Sequence, residues 1–228
     1  MSYKSYKIAI DGPASAGKST KAKLLSKELW YVYIDTGAKY RALALFLLEN
    51  KINIDDEDLI KKYIDDVNID IEYVNGEQIV KLNGKNVNKK IRSSQVSDAA
   101  SKTSAFKCVR EKLLTLQRKL ANEQNCVMDG GDIASNVIPD ANLKIFLTAI
   151  IDCRANRRYK EYLKKGIKTT FEETKKEIKD RDYCDTNREN NPLIKVSDTY
   201  FLDTTDMDID EVLDKILEIS TGGFKDGN

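Results

Sequence analysis

The chain has 228 residues, 38 of them Lys or Arg against 37 Asp or Glu, and no histidine. That length suits one substantial core with an inserted lobe rather than two full α/β domains, and the near-balance of charge gives no footprint for a nucleic-acid or membrane-surface binder. The missing histidine excludes Ser-His-Asp chemistry, histidine general bases and most transition-metal sites, but leaves phosphoryl transfer, which depends on positioning and on cations.

No run of about eighteen apolar residues and no leader-like apolar stretch is evident, so a cytoplasmic protein is expected. Cys108, Cys126, Cys153 and Cys184 are widely separated, without a C-x-x-C pair, and read as reduced packing or surface thiols.

The first strand is expected at Ile8 to Ile10, and it runs into Gly12-Pro13-Ala14-Ser15-Ala16-Gly17-Lys18-Ser19-Thr20. This segment fits the phosphate-binding pattern G-x-x-x-x-G-K-[ST]. Glycines at both ends let backbone N–H groups wrap a phosphate, and a helix starting near Lys18 adds its positive end. Lys18 supplies a mobile charge and Ser19 a hydroxyl for Mg²⁺, so the loop implies MgATP or MgGTP. Ala22, Leu25 and Leu29 follow at helical spacing, giving strand, loop and helix in the required order.

A second strand is expected at Tyr31 to Ile34, followed by Asp35-Thr36-Gly37-Ala38-Lys39-Tyr40-Arg41. Asp35 or Thr36 suits the cap of a helix continuing through Leu43, Phe46 and Leu47, and on that ground Arg41 is a solvated side chain. A role toward a second substrate competes with capping. From residue 67 to 96, Ile69, Ile71 and Tyr73 alternate with polar residues, and Asn75-Gly76 and Asn83-Gly84 supply two hairpin turns. This is a small antiparallel insertion, either functional or a decorative surface hairpin.

A strand at Cys126 to Met128 delivers Asp129 in the manner of a Walker B carboxylate, although Asp129-Gly130-Gly131-Asp132 also reads as an ordinary turn. Further strands at Leu143 to Leu147 and Tyr200 to Leu202 alternate with helical stretches, the mark of an α/β domain around a parallel sheet. Between them lies a basic, helical region with Arg154, Arg157, Arg158, Lys160, Arg181, Asp185 and Arg188. The last three share one helical face, a spacing that suits either a phosphate clamp or a solvated charge ladder. The final helix, after Asp208, places Ile209, Val212, Leu213, Ile216 and Leu217 toward the sheet, and residues 221–228 are expected to be a flexible tail.

Together, Ile8 to Thr20, Tyr33 to Arg41, Val96 to Ser104 with Val109-Arg110, and Arg181 to Arg188 resemble the bacterial cytidylate kinases, in that family's order and over nearly the whole chain. The resemblance implies a P-loop nucleoside monophosphate kinase fold, with a single domain over 1–220, the insertion at 67–96 serving the acceptor nucleotide, and a lid with its following helix at about 154–190. It implies ATP and Mg²⁺ as cofactors, with CMP and dCMP converted to CDP and dCDP in pyrimidine metabolism. Acceptor binding is implied for Asp35, Thr36, Tyr40, Arg41, Ser101, Arg110, Asp132, Arg181, Asp185 and Arg188, with Ser101 and Arg110 reading the cytosine edge and Asp185 holding the sugar. Lys18, Arg154 and Arg158 would stabilise the transferred phosphoryl group, while Ser19 and, through water, Asp129 would orient Mg²⁺. No nucleic-acid or membrane partner is implied, and with no large apolar face evident a monomer is expected.

Two positions depart from the family pattern. Gly131 stands where an arginine is usual, and Lys39 where methionine is usual. The lysine either replaces the missing charge or is simply solvated. Loss of the arginine also leaves open a nucleotide-binding protein of weakened catalysis, and a kinase for another acceptor such as UMP is the other alternative.

Overall fold

The computed structural model describes residues 5–74 and 77–221. The Asn75-Gly76 turn and the expected tail beyond residue 221 lie outside them. In chain order the elements begin with β1 (Lys7–Asp11), α1 (Lys18–Glu28), β2 (Val32–Asp35), α2 (Thr36–Glu49) and α3 (Glu57–Tyr63). The insertion follows as β3 (Ile69–Val74), β4 (Glu77–Leu82) and β5 (Lys85–Asn86), then α4 (Ser94–Thr103) and α5 (Lys107–Glu123). The chain ends with β6 (Cys126–Asp129), β7 (Leu143–Thr148), α6 (Ile151–Lys164), α7 (Phe171–Asn187), β8 (Tyr200–Asp203) and α8 (Ile209–Thr221). Among the described residues, no helix is long and apolar enough to cross a membrane.

The chain divides into two compact units, residues 1–33 with 124–228 and residues 34–123. In the first, strands run in the order β2-β6-β1-β7-β8, with β1 parallel to β6 and β7, and β7 parallel to β8. Every residue of β1 and of β6 is buried, as expected for strands covered on both faces. The core joins Ile8, Ile10, Val127, Ile145 and Leu147 to Ala22 and Leu25 of α1 and to Val212 and Ile216 of α8. Ile209, read as part of the covering face, is exposed because it opens the first turn of α8. The basic stretch forms two helices rather than one. Gly166 takes φ +69° after α6, and Thr170 starts α7 with a reciprocal capping box to Glu173.

The second unit is built around α2. Ala42, Leu43, Ala44, Leu45, Phe46 and Leu47 are consecutive and all buried, so this helix is enclosed rather than amphipathic. Its core extends to Ile60, Val80, Leu82, Val96 and Leu113. The insertion is a three-stranded antiparallel sheet in the order β3-β4-β5, with Ile69 opposite Leu82 and Val74 opposite Glu77. Asn83 and Gly84 both have positive φ, 47° and 78°, the backbone of a type I′ turn that matches strand twist.

Candidate active site

Strands β1 and β6 are neighbours in parallel register, Ile10 opposite Asp129, so their carboxyl ends deliver Asp11 and Asp129 side by side. Ligands of open α/β sheets bind outside such strand ends. The phosphate loop leaves β1 through Gly12, whose φ is +147°; a Cβ there would lie 1.9 Å from the Leu147 carbonyl oxygen, so no other residue fits. Lys18 folds back over the loop and donates to the Gly12 and Pro13 carbonyls, both at 2.7 Å. Burial pushes the Lys18 ammonium below its ordinary range, while Asp129 opposes the shift and Arg181 adds to it. An anion in the loop would favour the charged form and compete with those two carbonyls.

Ser19 Oγ donates to Asp129 Oδ2 at 2.6 Å, and Tyr33 Oη donates to Asp129 Oδ1 at 2.7 Å. Asp129 is therefore a buried carboxylate at the end of β6, held against the phosphate-loop serine. One hydroxyl and one carboxylate are hard oxygen donors, too few for a protein cage but suited to Mg²⁺, which keeps waters and nucleotide oxygens as its other ligands. Among the described residues no cluster of three or more acidic, cysteine or histidine side chains offers an alternative metal site.

Asp11 is 1% exposed and accepts from the backbone N–H groups of Ile133 at 2.9 Å and Ala134 at 2.7 Å. It thereby fixes the π-helical turn Ile133–Val137 that follows Asp132. Burial raises its pKa to about 6, in spite of those two N–H donors.

Helix α7 contributes a connected set of charges. Arg188 Nη1 lies 3.2 Å from Asp185 Oδ1, Arg188 Nη2 lies 3.6 Å from Asp132 Oδ1, and Arg181 Nε lies 3.7 Å from Asp185 Oδ2. Both ladder pairs are thus present, i,i+4 and i,i+3, and Arg181 is half exposed, but Arg188 is not a solvated member of the ladder. Arg188 lies just past the helix in extended backbone, its side chain is only 9% exposed, and its Nε donates to the Asn191 carbonyl. Arg181 and Asp185 both act on the Lys18 charge, so this set and the phosphate loop share one electrostatic environment.

Arg154 and Arg158 are placed differently from each other. Arg154 is buried and donates to the Ala149 carbonyl, the Ala14 carbonyl and Asp182 Oδ2, while Asp182 Oδ1 accepts from Ala14 N at 2.9 Å. Arg154 and Asp182 thus hold both backbone groups of a phosphate-loop residue. Arg158 pairs with Glu161 at 2.9 Å and lies 4.4 Å over the Tyr162 ring.

In the second unit Asp35 is the organising group. Its Oδ1 caps α2 by accepting from Ala38 N at 2.9 Å, and its Oδ2 takes Arg41 at 2.9 Å and Arg92 at 3.3 Å. The same carboxylate caps α2 and pairs with two arginines, and Arg41 is largely enclosed rather than solvated. Gln78 of β4 accepts from Asp35 N at 2.9 Å and donates to Asp35 O at 3.3 Å, so the inserted sheet is fastened to this carboxylate's backbone. Thr36 is buried beside it. Farther along, Arg110 Nη1 donates to the Ser104 carbonyl, whose hydroxyl donates to the Ser101 carbonyl, and Arg110 Cζ lies 5.7 Å from the Tyr40 ring centroid. Lys39 is fully buried, which corrects its reading as a solvated side chain.

Sequence reasoning missed Tyr33, Arg92, Gln78, Asp11 and Asp182. Asp182 was visible only as one more charge in a charged run, and Asp11 only as the residue between the first expected strand and the phosphate loop.

Comparison with known proteins adds three findings. The sequence profile of the family described as cytidylate kinase matches residues 8–221. A cytidylate kinase of Pediococcus pentosaceus is 48% identical over 220 residues, covering 96% of this chain and 97% of its own, and one of Lactobacillus johnsonii is 46% identical over 212 residues, covering 93% and 92%. A crystal structure of an uncharacterized protein from Eubacterium ventriosum aligns with a TM-score of 0.51 at 14% identity, covering 94% of this chain and 97% of that one, a likeness of fold.

Proposed function

The chain belongs to the cytidylate kinase family, and on that premise we propose that it transfers the γ-phosphoryl group of ATP to CMP and dCMP, giving ADP with CDP or dCDP. Its fold is that of the P-loop nucleoside monophosphate kinases. The observation that carries the reading is the contact of Ser19 with Asp129 beneath a glycine-bounded loop that already holds its lysine.

In the proposed reaction an anionic oxygen of the CMP phosphate attacks the γ-phosphorus. The bond from that phosphorus to the β,γ-bridging oxygen breaks, and ADP leaves with the electron pair. The attacking oxygen carries its charge already, so no general base is required, in keeping with a chain that has no histidine. The chain's own contribution is position and positive charge. Lys18 would exchange its two carbonyl partners for phosphate oxygens, and loop N–H groups would hold the β-phosphate end. Ser19, directly, and Asp129, through water, would hold Mg²⁺, which when bound neutralises charge on the donor phosphates.

Arg154 would act by keeping Ala14 in place through its pairing with Asp182, and Arg158 would reach phosphate only by leaving Glu161. On the acceptor side, Arg41, Arg181 and Arg188 offer guanidinium groups for phosphate, each already aligned by a carboxylate. Ser101 and Arg110 would read the cytosine edge. A site built to pair with the exocyclic amine rejects a base that lacks it, because its own buried polar groups stay unsatisfied.

Incubation with MgATP and, separately, CMP, dCMP, UMP and AMP tests the proposal through diphosphate formation. CDP and dCDP should form selectively. Dominant UDP or ADP formation from the added monophosphate would overturn the base assignment, and CMP binding without CDP would overturn the catalytic one.

A further inference from the structure

Helix α1 carries a lysine where its buried face calls for an apolar residue. Lys21 is 4% exposed and stands beside Ala22 and Leu25 among the buried positions of that helix. A lysine whose stem lies against apolar neighbours still needs an outlet for its ammonium, to a carboxylate, to neutral acceptors or to solvent. Among the described residues Lys21 Nζ has neither a hydrogen bond nor an ion pair, and it is not sealed from solvent: the stem is buried while the head remains open to a ligand. The groups whose charge it feels are Arg157, another cation, and the Cys153 thiol.

Its location narrows what could supply the missing partner. The place a Gly17 Cβ would occupy is 2.7 Å from Lys21 Nζ, so the ammonium lies directly against the phosphate loop, at the residue preceding Lys18. Arg157 does not neutralise or displace it, because its guanidinium is fixed by neutral acceptors, Thr204 Oγ1 at 3.1 Å and the Thr204 carbonyl at 2.7 Å. Asp203, a carboxylate that responds to Arg157, is exposed and accepts from Thr205 N and Oγ1 instead. The flank of the loop therefore holds two cations whose partners, where they have any, are neutral.

We propose that Lys21 is a second donor-binding lysine, whose ammonium takes the phosphate chain of the nucleoside triphosphate from the flank of α1 while Lys18 takes it from above the loop. This deepens the kinase reading and rests on it. The chemistry recognised is the polyphosphate of the donor, not its base. Lys21 is thus a positioning and affinity residue, bound as strongly to the ground state as to the transition state, and its removal should appear in the donor KM more than in kcat.

The test uses the full chain and two kinds of measurement. Calorimetric titration with ADP and with inorganic tripolyphosphate compares wild type with Lys21→Met, and thermal unfolding is followed with and without ADP. Lys21→Met should weaken both ligands by roughly tenfold, the size of one charge-assisted contact. The same variant should unfold without ligand at an equal or higher temperature than wild type, since a partly desolvated cation beside Arg157 is gone, while its ADP-induced rise in Tm shrinks. That opposition of signs is what a merely structural lysine would not produce.

Unchanged affinity for both ligands overturns the proposal. Weaker ADP binding with tripolyphosphate unaffected also overturns it, by moving the contact to sugar or base. Lys21→Gln, similar in length and uncharged, gives the same readout should the methionine variant be insoluble. Because both titrations are equilibrium measurements, they stand whether or not CMP is the acceptor. Failure of CMP phosphorylation by wild type would strike the kinase reading and leave the Lys21 result interpretable.

Discussion

The two units secure their charges in opposite ways. Around the phosphate loop of the first, backbone does most of the work: carbonyls of Gly12 and Pro13 hold Lys18, N–H groups of Ile133 and Ala134 hold Asp11, and both backbone groups of Ala14 are held by Arg154 and Asp182. In the second, one carboxylate does it, since Asp35 caps α2, receives Arg41 and Arg92, and is gripped by Gln78 through its own backbone. Distributed backbone contacts tolerate the loss of any one member. A single hub does not, so side-chain substitutions should be felt locally in the first unit and collectively in the second.

The largest effect is expected where the first unit relies on a side chain for chemistry. Lys18→Ala should lower kcat about 10²- to 10³-fold, the usual loss for one preorganised group facing developing charge. Its stability should fall by no more than about 1–3 kcal/mol, the cost of leaving the Gly12 and Pro13 carbonyls without their donor. Stopped or coupled assays of CDP formation alongside thermal unfolding read both quantities. A fall in kcat of less than about threefold would remove Lys18 from the phosphoryl path.

Asp35→Asn breaks the hub with little change of shape. Asparagine caps helices as well as aspartate does, so α2 should survive, while Arg41 and Arg92 lose their carboxylate. A rise in the KM for CMP of about ten- to a hundredfold is expected, with the KM for ATP nearly unchanged and a stability loss of about 1–3 kcal/mol. Equal changes in both KM values would show that the hub serves the fold rather than one substrate.

The contrast also decides what could be read from the sequence. The phosphate loop was legible because its roles fall on consecutive residues, and Asp129 because an apolar strand announces it. Asp35 was legible as a cap, from the residue type and the helix after it. Asp11 and Asp182 were not, because their partners lie 122 and 168 residues away in the chain and the contacts arise only from packing. Lys39 misled for the same reason: a lysine in a helix reads as solvated until the helix proves to be enclosed on all sides.

Asp11 allows the contest between burial and its backbone anchors to be measured through pH. Its folded pKa, about 6, lies above the ordinary carboxylate value of 3.8, so between those values the folded state retains a proton that the unfolded chain has released. The stabilising contribution is therefore full at low pH and is lost as pH rises through about 4 to 6. Asp11→Asn should remove this dependence, so that the stability difference between wild type and variant shifts by about 2–3 kcal/mol across that window. Denaturant unfolding at intervals from pH 4 to pH 7 provides the test, and parallel curves for the two proteins would mean that burial does not raise Asp11.

The smallest effect concerns Gly131, where the family resemblance expects an arginine. A Cβ there would meet Arg188 Nη2 and Leu193 Cδ1 at 3.9 Å each, ordinary contacts, so the position has room for a side chain to begin. The neighbouring charge is already balanced, with Arg188 held by Asp185 and Asp132. An added guanidinium gains a phosphate but also meets a cation, and Gly131→Arg should lower the KM for CMP by at most about tenfold. If the fully buried Lys39 supplies the replacement charge, Lys39→Met should raise that KM and Gly131→Arg should restore part of the loss in the double variant. Strict additivity of the two changes would mean that they act on CMP independently, and the notion of compensation would then be abandoned.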